Sequence, residues 1–254
     1  DTTTGAVNTA VGSYSMYSNI TGNNNTATGY YALGTNTSGS SNVATGVSAL
    51  QNNLASNNTA VGHDALKLNT TGANNTAVGR LALKSNTTAD HNTALGRDAL
   101  TVNTTGQQNT ALGSNSMSVN TTGSDNVAIG YSALDANTTA SNNTAVGKSS
   151  LSANTTGDSN GAFGKNALAV NTTGSRNIAV GAFAVLANTT GSNNSAFGMS
   201  AMETNSTGAY NVAVGFEAMK RNTTGGNNTA VGNLSLDVNT TGGSNVAMGD
   251  NALG

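Results

Sequence analysis

The block Asn-x-Ala-x-Gly begins at Asn8, Asn25, Asn42, Asn58, Asn75, Asn92, Asn109, Asn126, Asn143, Asn160, Asn177, Asn194, Asn211, Asn228 and Asn245. The spacing is 17 residues everywhere except between Asn42 and Asn58, where it is 16. A short fixed period is the mark of a repeat architecture, in which each unit buries its apolar side chains only by stacking on its neighbours. The consensus is N-T-A-V-G-x-x-A-L-x-x-N-T-T-G-x-x, and its positions are numbered here as slots 1 to 17.

The columns divide into fixed and free. Slots 1, 3 and 5 are Asn, Ala and Gly in all fifteen copies, and slot 12 is Asn in all fourteen copies that reach it. Slot 4 is apolar except at Thr28 and Thr45, and slot 9 is always Leu, Met or Val. Slot 15 is Gly, with Ser56, Ala89 and Ala140 as the exceptions on a plain count. Slots 6, 7, 10, 16 and 17 vary and carry almost every charge.

Two glycines per repeat and abundant Thr and Asn oppose helix. N-T-A-V-G alternates Thr and Val on one face with Ala on the other, the period of a strand. Slots 7 to 11 are expected to form a second short strand with slots 9 and 11 on one face. The G-x-x and N-T-T-G segments are expected to turn, because Gly and Asn tolerate positive φ. The predicted fold is therefore all-β: a parallel β-solenoid (β-roll) of about fifteen 17-residue coils, with residues 1–254 as one continuous domain. At about 4.8 Å per coil the stack would reach roughly 70 Å. Identical residues then fall in ladders, and the Asn columns, including Asn58, Asn75, Asn92, Asn109, Asn126 and Asn143, are expected to hydrogen-bond from coil to coil. Two large apolar slots are little burial for seventeen ordered residues, so further burial between chains is expected, with slot 4 or slot 9 supplying an apolar stripe.

Composition removes several functions. Asn, Thr and Gly (41, 39 and 32 residues) make up about 44% of the chain, and only 8% is charged. Nine Lys and Arg against eleven Asp and Glu leave no basic cluster for nucleic acid. No apolar run approaches a membrane span. The absence of Cys excludes disulfides and thiolate metal sites. His63 and His91 occupy different slots and no acid holds a fixed one, so neither a catalytic constellation nor a regular metal array is expected, and no cofactor.

The block Asn58-Thr59-Ala60-Val61-Gly62 with Ala65-Leu66, repeated as Asn126-Val127-Ala128-Ile129-Gly130 with Ala133-Leu134 and as Asn211-Val212-Ala213-Val214-Gly215, resembles the S-V-A-I-G-x-x-A/S head repeat of YadA-like trimeric autotransporter adhesins. Similar repeats occur in phage tail fibres. The resemblance covers nearly the whole chain. It implies a left-handed β-roll assembled as a trimer, located extracellularly or at a cell surface, and binding host or matrix molecules. The repeat here is longer in its second turn, and no coiled-coil stalk, neck or membrane-anchor barrel is recognisable in these 254 residues.

The variable slots supply the candidate ligand contacts. Tyr14 and Tyr31 share slot 7 in adjacent coils with Tyr30 beside them, and Tyr131, Phe183 and Phe216 lie on the same turn further along. An exposed aromatic strip could hold sugar rings or a protein partner. Phe163 and Phe197 in slot 4 are expected in the core or in an interface. The function expected is an extracellular structural or adhesive fibre segment, an adhesin head or fibre shaft, that forms a homo-oligomer. Two alternatives stand beside it. One is a filament subunit that stacks head to tail, since residues 1–7 and 245–254 together complete one 17-residue coil in phase. The other is an ice-binding solenoid, since slots 13 and 14 are mostly Thr (Thr70 and Thr71, Thr104 and Thr105, Thr223 and Thr224).

Overall fold

A computed structural model describes residues 3–254, so Asp1 and Thr2, which the reading above puts in slots 11 and 12, lie outside the described residues. The chain divides into two compact units, residues 1–125 and 126–254. The first carries seven strands, β1 (Thr9–Val11) to β7 (Thr110–Leu112). The second carries eight, β8 (Val127–Ile129) to β15 (Val246–Met248). There is one three-residue strand per repeat, on slots 2 to 4, and no helix among the described residues.

Within each unit every strand pairs in parallel with that of the next repeat, in register, as in Thr59↔Thr76, Ala60↔Ala77 and Val61↔Val78, or Thr144↔Gly161, Ala145↔Ala162 and Val146↔Phe163. Each unit is thus a parallel β-solenoid of stacked coils. The strands are short because slot 5 ends them. Gly62 has φ +136°, and a Cβ there would lie 2.5 Å from the Gly79 carbonyl oxygen of the next coil. Only glycine combines that conformation with that approach.

Slots 7 to 11 do not form the expected second strand. They fold as a turn in which slots 7 and 9 are left-handed: Asp64 has φ 57° and Leu66 φ 50°, and the same sign recurs down both columns. Such a residue costs about 1–2 kcal/mol when it is not glycine. Backbone hydrogen bonding offsets the cost. The alternation aims every second N–H group along the stack, so that Asp64 N–H reaches Val47 C=O in the preceding coil, while Leu66 and Leu68 N–H reach Ala82 and Lys84 C=O in the following one. A buried N–H left bare would cost about as much as the strain. Slots 9 and 11 consequently do not share a face. Slot 9 is buried (Leu66, Leu100, Leu168), whereas slot 11 is exposed (Leu68, Val102, Val170).

The core of each coil is narrow. Ala of slot 3, Ala or Ser of slot 8, and Leu, Met or Val of slot 9 are buried between the Asn columns of slots 1 and 12. Where Ser116, Ser150 and Ser235 replace Ala at slot 8, the hydroxyl donates to the slot-5 carbonyl, as Ser150 does to Gly147 at 2.9 Å. Slot 4 lies on the outer face of the sheet. Val61, Leu95, Phe163 and Phe197 are 36–44% exposed on the single chain. Phe163 and Phe197 are therefore outside the core.

The 16-residue repeat absorbs its deletion outside the strand, since Thr45 still pairs with Val61. Ala55 C=O accepts from Asn42 Nδ2 (2.9 Å) and Asn53 Nδ2 (2.7 Å), as slot-15 carbonyls do in other coils, and Ser40 N–H donates to Ser56 Oγ. Ala55 thus holds slot 15 and Ser56 slot 16. The missing residue is the second Thr, and the plain count that put Ser56 in slot 15 is off by one.

Candidate functional site

The two Asn columns are wired differently. In slot 1 the side-chain oxygen accepts from the backbone of the next coil: Asn75 N–H donates to Asn58 Oδ1, and Asn92 N–H to Asn75 Oδ1, each at 2.9 Å. Asn109 N–H donates likewise to Asn92 Oδ1, and Asn143 N–H to Asn126 Oδ1. In slot 12 amide meets amide, as in Asn86 Nδ2 to Asn69 Oδ1 at 2.8 Å. Both columns also send Nδ2 to one carbonyl of their own coil, so that Asn58 and Asn69 converge on Gly72 C=O. These buried amides satisfy one another and the backbone, and they hold the coils rather than a ligand. At the deletion the slot-12 column is interrupted: Asn36 Oδ1 is buried without a hydrogen-bond partner.

The Thr columns differ too. Slot 13 is half-buried, and its hydroxyl donates to the slot-13 carbonyl of the next coil, as Thr70 Oγ1 does to Thr87 C=O at 2.9 Å. Only slot 14 stands exposed there (Thr71, Thr88). A second Thr column, which the consensus showed but the reading of slots 13 and 14 passed over, lies on the flat sheet face: Thr59, Thr76, Thr93 and Thr110 in slot 2, beside the apolar slot 4.

Charges gather on the turn of slots 6, 7 and 10. Lys67 pairs with Asp64 (3.1 Å) and Lys220 with Glu217 (2.7 Å), three residues apart, and Asp98 lies near Arg80 and Arg97. Asp64 is buried under its lysine, whereas the other carboxylates are half-buried. Among the described residues no three His, Cys, Asp or Glu side chains come together as metal ligands.

The aromatic candidates fall in both units, three in each. Tyr14, Tyr30 and Tyr31 come together, and Tyr17, missing from the sequence reading, joins them. Tyr14 and Tyr31 stack with centroids 4.8 Å apart and planes at 15°. Tyr30 stands edge-on to Tyr14 (6.0 Å) and Tyr31 (4.8 Å), and Tyr17 edge-on to Tyr14 (5.6 Å). The sequence signal for Tyr17 was Gly34. Both occupy slot 10, where Gly recurs only at Gly254. A Cβ on Gly34 would lie 2.7 Å from Tyr31 Cδ1, so its absence makes room for the Tyr31 ring. Tyr131 and Phe183 instead meet cations, Lys148 Nζ at 5.9 Å and Lys165 Nζ at 5.5 Å from the ring centres. Phe216 is exposed in slot 6 of its own coil. Tyr17 also walls a groove of about 420 Å³ lined by Thr3, Ser18, Asn19, Ile20 and Thr37.

Each unit offers an apolar outer sheet face, and the first also an aromatic patch on its turns. No protein-family model and no curated protein matches this chain.

Proposed function

We propose that the chain is an extracellular structural or adhesive fibre segment. Its sheet face packs against other copies, in keeping with the trimer implied by the resemblance to YadA-like heads, and its turns display variable side chains at fixed intervals. One observation carries this reading. Within each unit the slot-4 column faces outward, with Val61, Leu95 and Leu112 in the first and Phe163, Val180, Phe197 and Val214 in the second at 36–44% exposure. An apolar face of this kind marks an interaction surface, and an in-register ladder suits a partner carrying the same ladder. The invariant columns serve the coil, which leaves the variable turn slots free to differ.

Sedimentation and electron microscopy of the purified chain test the reading. A discrete oligomer is expected, and Val146→Asp should dissociate it while leaving the coil folded, because Val146 lies on the outer sheet face. A wild-type chain that sediments as a stable monomer would remove the reading, and long unbranched filaments would replace it with head-to-tail stacking. Leu151→Asp, in contrast, should unfold the coil, since Leu151 is fully buried.

The Thr column of slot 2 favours a second reading, ice binding through the same sheet face. Thermal hysteresis by the wild-type chain, abolished in Thr76→Lys, would establish it in place of the first.

A further inference from the structure

Four of the six tyrosines of the chain lie in two adjacent coils and touch one another. Three features make this a built cluster rather than a chance of composition. Tyr14 and Tyr31 stack because they hold the same slot one coil apart, with the same left-handed backbone, φ 56° at each. Gly34 leaves the space that the Tyr31 ring leans into. The rings nevertheless stay open to solvent, with Tyr14, Tyr30 and Tyr17 exposed by 48%, 49% and 73%. Rings braced in this way lose little freedom when something binds them, which is the condition for large contact area at small entropic cost.

The surroundings state what that something is. From Thr3 to Gly62 there is not one Asp, Glu, Lys, Arg or His. In the second unit two aromatic rings have a lysine ammonium over them, Lys148 at Tyr131 and Lys165 at Phe183. Among the described residues the tyrosine cluster has no such cation over its rings, and its own coils carry no charged side chain to offer an ionic ligand. Its neighbours are hydroxyls and amides: Ser18, Asn19 and Thr37 line the groove that Tyr17 walls. Apolar ring faces edged by neutral donors and acceptors match a molecule with an apolar C–H face and a rim of hydroxyls. We propose that Tyr14, Tyr17, Tyr30 and Tyr31 form a binding site for neutral pyranose sugars, with the C–H face of the sugar laid on exposed tyrosine and its hydroxyls meeting the Ser, Asn and Thr side chains beside it. This names a ligand class for the display reading above and rests on that reading.

The test uses the full chain and the neutral tetrasaccharides of β-linked glucose and of β-linked galactose, with an anionic hyaluronan tetrasaccharide and a neutral Gly-Ser peptide as controls. The chain has no Trp, so emission comes from tyrosine, four of the six in the cluster, and saturation-transfer NMR reads the sugar protons. At least one neutral saccharide is expected to change the emission and receive saturation, while both controls stay silent. Tyr14→Ser, Tyr17→Ser and Tyr30→Ser place residues that slots 7, 10 and 6 already hold at Ser149, Ser152 and Ser13, so the coil should fold. Each should weaken saccharide binding at least tenfold, and Tyr131→Ser should leave it unchanged. Binding of neither saccharide, a response to the peptide alone, or binding that survives Tyr17→Ser and Tyr30→Ser together would overturn the proposal. Sedimentation of the same samples separates the two ideas. Lost saccharide binding in an intact oligomer defeats only the sugar site, and a monomer defeats the interface reading whatever the sugars do.

Discussion

Replacing Asn75 by alanine should cost more than replacing Asn69, although both are fully buried members of invariant columns. Asn75 Oδ1 accepts from Asn92 N–H at 2.9 Å, and Asn75 Nδ2 donates to Ala89 C=O at 2.8 Å. Truncation leaves Ala89 C=O with the Asn86 amide at 2.9 Å but strips the buried Asn92 N–H of this acceptor. A buried donor left bare costs about 1–3 kcal/mol. Asn69 donates to Asn53 Oδ1 and to Gly72 C=O, both at 2.7 Å, and accepts from Asn86 Nδ2 at 2.8 Å. Without it every former partner keeps another bond: Asn86 to Ala89 C=O, Gly72 C=O from Asn58 Nδ2, and Asn53 Oδ1 from Asn58 Nδ2. The cost should fall to about 1 kcal/mol, the net worth of an ordinary hydrogen bond. Urea denaturation of the two variants should therefore differ by about 1–2 kcal/mol, and amide exchange at Asn92 should accelerate roughly 5–30-fold more in Asn75→Ala than in Asn69→Ala. Equal losses, or an Asn92 amide whose exchange ignores Asn75→Ala, would refute the account of the two columns.

Gly62→Ala should destabilise by more than about 2 kcal/mol, because it adds backbone strain to a clash with Gly79 C=O. Gly72→Ala should cost less than Gly62→Ala: a Cβ there would also crowd a carbonyl oxygen, that of Ala89, but Gly72 has no positive φ and the same slot holds Ala89 and Ala140 in other coils; thermal melts in parallel would show the contrast or its absence. Inserting Thr between Leu54 and Ala55 restores the 17-residue spacing and should give Asn36 Oδ1 a partner, raising stability by about 1–2 kcal/mol in urea titration. Burial holds the Asp135 carboxyl above its ordinary value, outweighing hydrogen bonds from its own backbone, the Ser132 side chain and the Ala136 backbone. The folded chain then keeps a proton that the unfolded chain has lost, so this group's stabilisation is present at acid pH and disappears as pH rises through its folded titration. Asp135→Asn should remove that decline, and a stability–pH curve identical to wild type would count against it.

The repeat made much of this structure readable without coordinates. Asn, Ala and Gly at slots 1, 3 and 5 announced a narrow coil, and the Thr-Ala-Val alternation set Ala60 on one face and Thr59 and Val61 on the other, because a strand has only two faces. The shared slot of Tyr14 and Tyr31 put their rings together for the same reason: identical positions in successive coils must coincide. The conformation of slots 7 to 11 was not readable. Ala65-Leu66 followed by variable residues looks like a strand edge, and nothing local says that Leu66 sits at φ 50°. That conformation exists only because the neighbouring coils receive its N–H groups, a gain that appears only once they are stacked. The same stacking decided that slot 9 fills the core and slot 4 faces outward, that Asn75 serves a backbone N–H while Asn69 serves an amide, and that Ala55 stands where counting put Ser56. It also brought Tyr17 to the tyrosine cluster beside the gap left by Gly34. The sequence by itself determined the period and the small, invariant interior; which backbone turns close each coil and which apolar column remains outside were decided by hydrogen bonds and space between coils, which no single repeat contains.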